Sequence, residues 1–271
     1  MPELPEVETT RTSLLPLVGQ TVQQVQVFQP QLRWLIPADL ARLNGQRLLR
    51  IDRRAKYLLA HFEQDALMMH LGMSGSFGLY TGNPDRRKHD HVLIDFDQTQ
   101  LRYHDPRRFG SILWLQPDGS HPLLARLGPE PLSDDFHADY LAQALRHKKT
   151  AIKVALMDNA IVVGVGNIYA TEALFRTGIH PARPAHTLNG DQIRHVVDVI
   201  RQILQQAITL GGSTLRDFVN AQGENGYFQQ TLLAYGRAGQ ACGHCQHPLQ
   251  TLKLGQRASA FCPICQPAHN A

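Results

Sequence analysis

The sequence predicts an α+β fold of more than one domain, and three observations carry that expectation. Short apolar runs separated by turn residues fill the chain up to about residue 130. Apolar stripes of helical period replace them from residue 134 onward. The four cysteines lie as two close pairs near the end. A chain of 271 residues is long for one core and suits two domains with a small appendage.

The elements follow in order. A first helix is expected from about Pro5 to Leu15. Short β-type runs come next: Val25 to Val27, Tyr57 to Phe62, Ala66 to His70, Val92 to Phe96 and Ile112 to Leu115. Turn residues such as Gly82-Asn83-Pro84 and Pro117-Asp118-Gly119 divide them, which predicts an antiparallel sandwich or barrel. Leu127-Gly128-Pro129-Glu130-Pro131 breaks the pattern and reads as a linker. Residues 134 to about 220 read as helical. Asp134 is placed to cap a helix carrying Phe136, Tyr140, Leu141 and Leu145. A cleaner stripe runs through Ile193, Val196, Val197, Ile200, Ile203, Leu204, Ala207 and Ile208, and is read as core. Asn189 and Gln192 form a capping-box pattern before it, and Gly211-Gly212 ends it.

Cys242, Cys245, Cys262 and Cys265 read C-x2-C, sixteen residues, C-x2-C. Leu249 to Leu254 and Arg257 to Phe261 flank a turn at Gly255-Gln256, so the intervening segment predicts a two-stranded ribbon. Two close pairs of thiolates suit a closed tetrahedral zinc site, structural rather than catalytic. Two disulfides or free thiols are the alternatives, and His244 and His247 are alternative ligands. The start of the chain has neither a basic nor an apolar leader region. A cytoplasmic, reducing location is therefore expected, and disulfides are disfavoured there.

No apolar stretch reaches the ~20 residues of a membrane span. Lys plus Arg number 27 against 23 for Asp plus Glu, a net charge of +4 that permits nucleic-acid binding without requiring it. The clustering is more informative: Arg50, Arg53, Arg54 and Lys56; Arg86, Arg87 and Lys88; Arg107 and Arg108; Arg146, Lys148 and Lys149.

Six motifs occur in order. They are PELPEVETT at residue 2, R-R-A-K-Y-L from Arg53, H-L-G-M-S-G from His70, D-P-R-R-F-G from Asp105, V-G-V-G-N-I-Y from Val163, and the four-cysteine ribbon. Together they resemble formamidopyrimidine-DNA glycosylase over essentially the whole chain. That resemblance implies an N-terminal antiparallel β-sandwich over 1–130, a helix-two-turns-helix domain over 131–225 and a zinc ribbon over 236–271. It also implies a monomer acting on double-stranded DNA that contains an oxidised base. The reaction would be excision of 8-oxoguanine and ring-opened purines, then β,δ-elimination.

The resemblance assigns roles residue by residue. Pro2, exposed as the terminal residue once Met1 is removed, is the nucleophile, since a secondary amine forms an iminium without a cofactor. Glu3 is the general acid/base and Glu6 a supporting carboxylate. Lys56 contacts phosphate and donates a proton during β-elimination, and Arg257, near the hairpin tip, contacts the lesion phosphate and assists δ-elimination. Met73 fills the space left by the flipped base, Phe109 wedges between base pairs, and Arg107 bonds the orphaned partner. Asn167 opens a helix after Gly164-Val165-Gly166 and serves as phosphate contact, N-cap, or both. His89, Lys148 and Lys153 are phosphate or substrate contacts, and the Gln222 to Phe228 loop closes over the base. Val154-Ala155 departs from the pattern, in which proline and a bulky aromatic are common after the lysine.

Each position also has a plain structural reading. Pro-Glu-Leu-Pro is a good helix start, Met73 and Phe109 suit a core, Lys56 suits a strand edge, and Lys148-Lys149 suits a solvated helix end. Two further functions stand beside the first. One is an enzyme resembling endonuclease VIII, specific for oxidised pyrimidines; the other is a non-catalytic zinc-ribbon DNA-binding protein.

Overall fold

A computed structural model describes residues 2–82, 84–213, 221–223 and 225–268. The chain divides into two compact units: Met1–Ala125 with Leu210–Gln229, and Arg126–Thr209 with Gln230–Ala271.

The first unit opens with helix α1, Leu4–Ser13, with Pro5 in its first turn, where the missing N–H costs nothing. Eight strands follow: β1 Val22–Val27, β2 Leu48–Arg54, β3 Tyr57–Phe62, β4 Ala66–His70, β5 Ser76–Tyr80, β6 Asp90–Phe96, β7 Gln100–His104 and β8 Ser111–Trp114. They form two antiparallel sheets, ordered β1-β6-β7-β5 and β2-β3-β4-β8. On β3, Leu58, Ala60 and Phe62 are buried while the residues between them are half-buried. They meet Val22, Ile94, Phe96, Leu101 and Tyr103 of the other sheet in one core. Two separate four-stranded sheets make a sandwich, not a barrel.

Three strands escaped the sequence pattern. In β2 the run Leu-Leu-Arg-Ile-Asp-Arg-Arg is interrupted by outward charges, and β5 holds Gly78 at its centre. In β7 the guanidinium of Arg102 is 1% exposed. It is satisfied by the Asp85 carbonyl at 2.8 Å, the Pro84 carbonyl and the Gln100 side chain. A buried, fully bonded arginine looks polar in sequence and behaves as core.

The second unit holds α2 Ala138–Leu145, α3 Ile152–Leu156, α4 Asn167–Arg176, α5 Gly190–Thr209, β9 Gln250–Leu254 and β10 Arg257–Phe261. The apolar stripe of α5 is buried against α2 and α4. Its capping box is present: the Gln192 N–H donates to Asn189 Oδ1 at 2.9 Å, and the Asn189 N–H donates to Gln192 Oε1 at 3.1 Å. Gly211 and Gly212, at φ 73° and 77°, follow the helix.

Two expected caps are corrected. Helix α2 begins at Ala138, capped by His137, whose Nδ1 accepts the Tyr140 N–H at 3.3 Å; Asp134 lies too early to reach it. The cap of α4 is Gly166, and Asn167 is the first helical residue. The expected linker is fastened rather than loose, with Gly128 N–H on the Asn159 carbonyl at 2.8 Å and Val163 N–H on that of Pro129 at 3.2 Å. The expected helical stretch to about 220 crosses residues 214–220, which lie outside the described residues. No helix among the described residues is long and apolar enough to cross a membrane.

Candidate functional site

Pro2 and Glu3 are buried at the start of α1. The nearby Glu6 carboxylate works through both oxygens. Oε2 accepts the Glu3 N–H and Oε1 accepts the Ser213 N–H, each at 2.8 Å. A carboxylate 2% exposed and held by two backbone donors is a rigid bracket for the residue after Pro2. Gly212 makes room for it, since a Cβ there would stand 3.1 Å from Glu6 Cγ.

Lys56 occupies the two-residue turn between β2 and β3, where Ala55 has φ 54°. That position favours glycine, so the surroundings must impose it. Arg53 Nη1 donates to the Ala55 carbonyl at 2.8 Å, and Arg53 Nε pairs with Glu8 at 2.9 Å. Arg11 pairs with the same Glu8 at 2.7 Å. Burial pushes the Glu8 carboxyl up, but the two guanidiniums outweigh it and hold it below its ordinary value. The turn keeps Lys56 mostly covered, at 8% exposure. It is therefore a turn residue rather than a strand-edge one.

Met73 and the pair Arg107–Phe109 lie on two loops that are bolted together. Asp105, fully buried, accepts from Ser74 Oγ at 2.7 Å, Tyr103 Oη at 3.1 Å and the Gly110 N–H at 2.9 Å. Ser74 Oγ in turn accepts the Arg107 N–H at 3.3 Å. Burial, reinforced by the Asp105 charge, pushes the Tyr103 phenol far up, so it remains a donor. Gly72 adopts φ 64°, and a Cβ there would run into the Phe109 backbone. The outcome is a half-buried Met73 and a Phe109 that is 43% exposed, with the Arg107 guanidinium 4.9 Å from its ring centre. Phe109 is thus no core residue.

His70 supports the first loop: its Nδ1 accepts the Gly72 N–H at 3.0 Å. Burial, with the charges of Lys56 and then Arg33, lowers its pKa to about 4 against the pull of Asp105. It is neutral at pH 7, as an accepting nitrogen must be. His89 is half-buried, with His91 and His104 edge-on at ring-centre distances of 6.2 and 5.9 Å.

In the second unit the four cysteine Sγ atoms lie within 4.8 Å of one another. Cys242 and Cys265 are 3.9 Å apart and Cys245 and Cys262 3.4 Å. Bonded sulfurs stand about 2.05 Å apart, so these are thiols, not disulfides. Four sulfurs placed tetrahedrally about 2.3 Å from one ion stand about 3.8 Å apart, so the donor set fits a four-coordinate metal. His244 stacks on Phe175 at 5.3 Å, and neither it nor His247 joins the set.

The ribbon is anchored around this cluster. Glu172, fully buried on α4, accepts the N–H groups of Leu233, Ala234 and Tyr235 at 2.8–2.9 Å. Gln266 joins the Cys262 N–H at 2.9 Å to the Ile179 carbonyl at 2.8 Å. The turn Gly255-Gln256, at φ 50° and 63°, then presents Arg257 exposed at the first position of β10.

Lys153 is not at the surface. Its ammonium is fully buried, donating to Ser259 Oγ at 2.8 Å and the Ala258 carbonyl at 3.2 Å, so it braces the hairpin instead of facing solvent. Val154 meets the hairpin at Gly255, where a Cβ would stand 3.3 Å from it. Lys148 is exposed, 3.9 Å from Asp158. Asn167 opens α4 with its Oδ1 buried and unbonded.

Residues 1–112 match the formamidopyrimidine-DNA glycosylase N-terminal domain, and residues 127–219 match the formamidopyrimidine-DNA glycosylase H2TH domain. A formamidopyrimidine-DNA glycosylase of Acinetobacter baylyi is 64% identical over 268 residues, covering 98% of each chain. One from Vibrio cholerae is 51% identical, covering 98% of this chain and all of its own. This chain belongs to the formamidopyrimidine-DNA glycosylase family. Among solved structures, the wild-type Lactococcus lactis Fpg with DNA containing N7-benzyl-Fapy-dG superimposes with a TM-score of 0.91 at 37% identity. The same protein with abasic-site DNA gives 0.91 at 36%. Each comparison covers 98% of this chain and 100% of the other.

As a formamidopyrimidine-DNA glycosylase, the protein is a DNA glycosylase with abasic-site lyase activity, acting on oxidised lesions in base excision repair. Its partner is lesion-containing DNA. Sequence reasoning missed the glycosylase's supporting residues: Asp105, Tyr103, His70, Glu172 and Gln266. Asp105 was within reach, because it heads a quoted motif. Glu172 gave no signal, since its three donors lie about 60 residues away on irregular backbone.

Proposed function

We propose that this glycosylase excises oxidised purines, 8-oxoguanine and formamidopyrimidines, with Pro2 as nucleophile. The Pro2 nitrogen, freed by removal of Met1, attacks the sugar's anomeric carbon. The base leaves with the bonding electron pair and a proton; the C1′–O4′ bond of the sugar then breaks, O4′ taking its electron pair and a proton, and an iminium between C1′ and the proline nitrogen remains. Glu3 supplies and collects protons. The iminium acidifies the neighbouring sugar hydrogens, and both phosphates depart by β,δ-elimination, aided by Lys56 and Arg257. Met73, Arg107 and Phe109 occupy the gap in the duplex, while His89, Lys148 and Asn167 bind phosphate or substrate. Lys153 acts through the hairpin.

The observation that carries this reading is the bracket around the start of α1, a buried Pro2-Glu3 pair whose backbone is held by Glu6. The Glu6 bond to the Glu3 N–H is also the capping box of α1; the bond to the Ser213 N–H, a distant segment, is what a helix start does not need. The zinc ribbon over 236–271 holds one structural zinc ion through its four thiolates and aims Arg257. Unbridged cysteines support a cytoplasmic setting. The purine assignment is also supported by a relative, the Lactococcus lactis Fpg, solved with Fapy-dG in the DNA; the same protein is solved with an oxidised pyrimidine too, so the choice between the two rests on the assay below.

The test is borohydride trapping on duplexes carrying 8-oxoguanine opposite cytosine or thymine glycol. A covalent adduct on the purine lesion that Pro2→Gly abolishes is the expected result. Preference for thymine glycol would reassign the substrate, and an adduct surviving in Pro2→Gly would remove Pro2 as nucleophile.

A further inference from the structure

The structure assigns a further DNA-contact point to Arg33, a phosphate clamp mounted on Trp34 beside the Arg107–Phe109 loop. The segment around it is built to project. Leu32 and Ile36 are buried in the sandwich core, and a bridge joins Gln31 to Leu35. Between these anchors Arg33, Trp34 and Leu35 are exposed, Trp34 at 37% and Leu35 at 65%. A loop held by two core residues has no folding need for an exposed tryptophan at its tip.

The charge on Arg33 is held ready rather than spent. Arg42, Arg47, Arg50, Arg53 and Arg87 all pair with carboxylates. No carboxylate pairs with Arg33 among the described residues. Its guanidinium instead lies 4.8 Å from the Trp34 ring centre. Stacking orients the plane and leaves the N–H donors available, the arrangement that suits a phosphate. Arg107 over Phe109 is built the same way.

Placement gives the pair its ligand. The Arg33 N–H donates to the Gly110 carbonyl at 3.2 Å, so the segment is fastened to the end of the Arg107–Phe109 loop. The Arg33 charge also acts on Tyr57 and His70, which lie opposite each other on β3 and β4 next to Lys56, with rings 4.9 Å apart. Arg33 therefore joins two places assigned to DNA, and a backbone phosphate flanking the opened base pair is the ligand its chemistry fits. This inference rests on the reading that the Arg107–Phe109 loop meets DNA.

The test measures binding of the full chain to a duplex with an abasic-site analogue across a salt series. One phosphate contact contributes about 0.9 to the slope of log affinity against log salt. Arg33→Gln is expected to lower the slope by about that amount, so its deficit against the parent shrinks about 3.5-fold between 0.05 and 0.2 M salt. Arg33→Lys keeps the slope. Arg47→Gln, which removes an exposed ion pair with Glu63, is the control with an unchanged slope. Urea midpoints check that each variant is folded. Parent-like slope and affinity in Arg33→Gln, while Arg107→Gln is impaired, overturn the Arg33 clamp alone. A deficit equal at every salt concentration overturns it too, since that is packing rather than charge. If Arg107→Gln also binds like the parent, the loop reading fails and the clamp with it.

Discussion

Asp105 is the point where the Met73 and Arg107–Phe109 loops are most open to attack. Asp105→Ala removes the shared acceptor of Ser74 Oγ, Tyr103 Oη and the Gly110 N–H. Ser74 is half-buried and finds water, but the other two donors are enclosed, with Tyr103 at 1% exposure. An orphaned buried donor costs about 1–3 kcal/mol, so the loss is about 2–6 kcal/mol. That is a large share of a domain stability of about 5–15 kcal/mol. Asp105→Asn is milder. Its carbonyl can face Tyr103 and Gly110 while Ser74 reverses to accept, and only charge assistance is lost, about 1–2 kcal/mol. Urea denaturation ranks the variants by midpoint at unchanged slope. Single-turnover excision opposite each of the four bases then reads the Arg107–Phe109 loop, and opposite-base discrimination should fall in the same order as stability. A parent-like midpoint together with parent-like discrimination in Asp105→Ala would refute the claim that this carboxylate holds the loops.

Three further outcomes are expected. Gly72→Ala should lose about 1–2 kcal/mol for its left-handed backbone and about 1–3 kcal/mol for collision with the Phe109 backbone, read as a lowered urea midpoint with weakened lesion binding. The depressed pKa of His70 means that its stabilising contribution is complete above pH 6.5 and is lost as the pH falls towards about 4. The effect is on the order of 3 kcal/mol, and a midpoint-against-pH curve for His70→Gln should lack that part of the slope. Elemental analysis should find one zinc per chain, and either chelation or Cys245→Ser should abolish DNA binding while the first unit keeps its β-sheet circular dichroism. Full DNA affinity after complete metal removal would contradict the role of the ribbon.

How much was legible depends on range along the chain. Strand β3 was read residue for residue, because alternation is written in adjacent positions. So were the α5 capping box and the Gly255-Gln256 turn, which are settled within four residues. Strand β7 was not, because Arg102 and Gln100 count as polar until their partners are known. Residue type alone points to Asp134 as a cap, although the helix begins only after His137.

The candidate site divides along the same line. The amino-acid sequence by itself determined the α+β class, the ribbon with its four paired cysteines, and the residue types available for chemistry. Spacing and intrinsic reactivity carry that information without a fold. Only the tertiary structure decided what each side chain is free to do. It turned Lys153 inward to brace the hairpin and left Phe109 and Trp34 exposed. It also committed Glu6 to two backbone donors and made Asp105 the joint between two loops. The physical reason is that burial and hydrogen-bond partnership arise between segments far apart in sequence, such as Glu6 with Ser213 or Glu172 with Ala234.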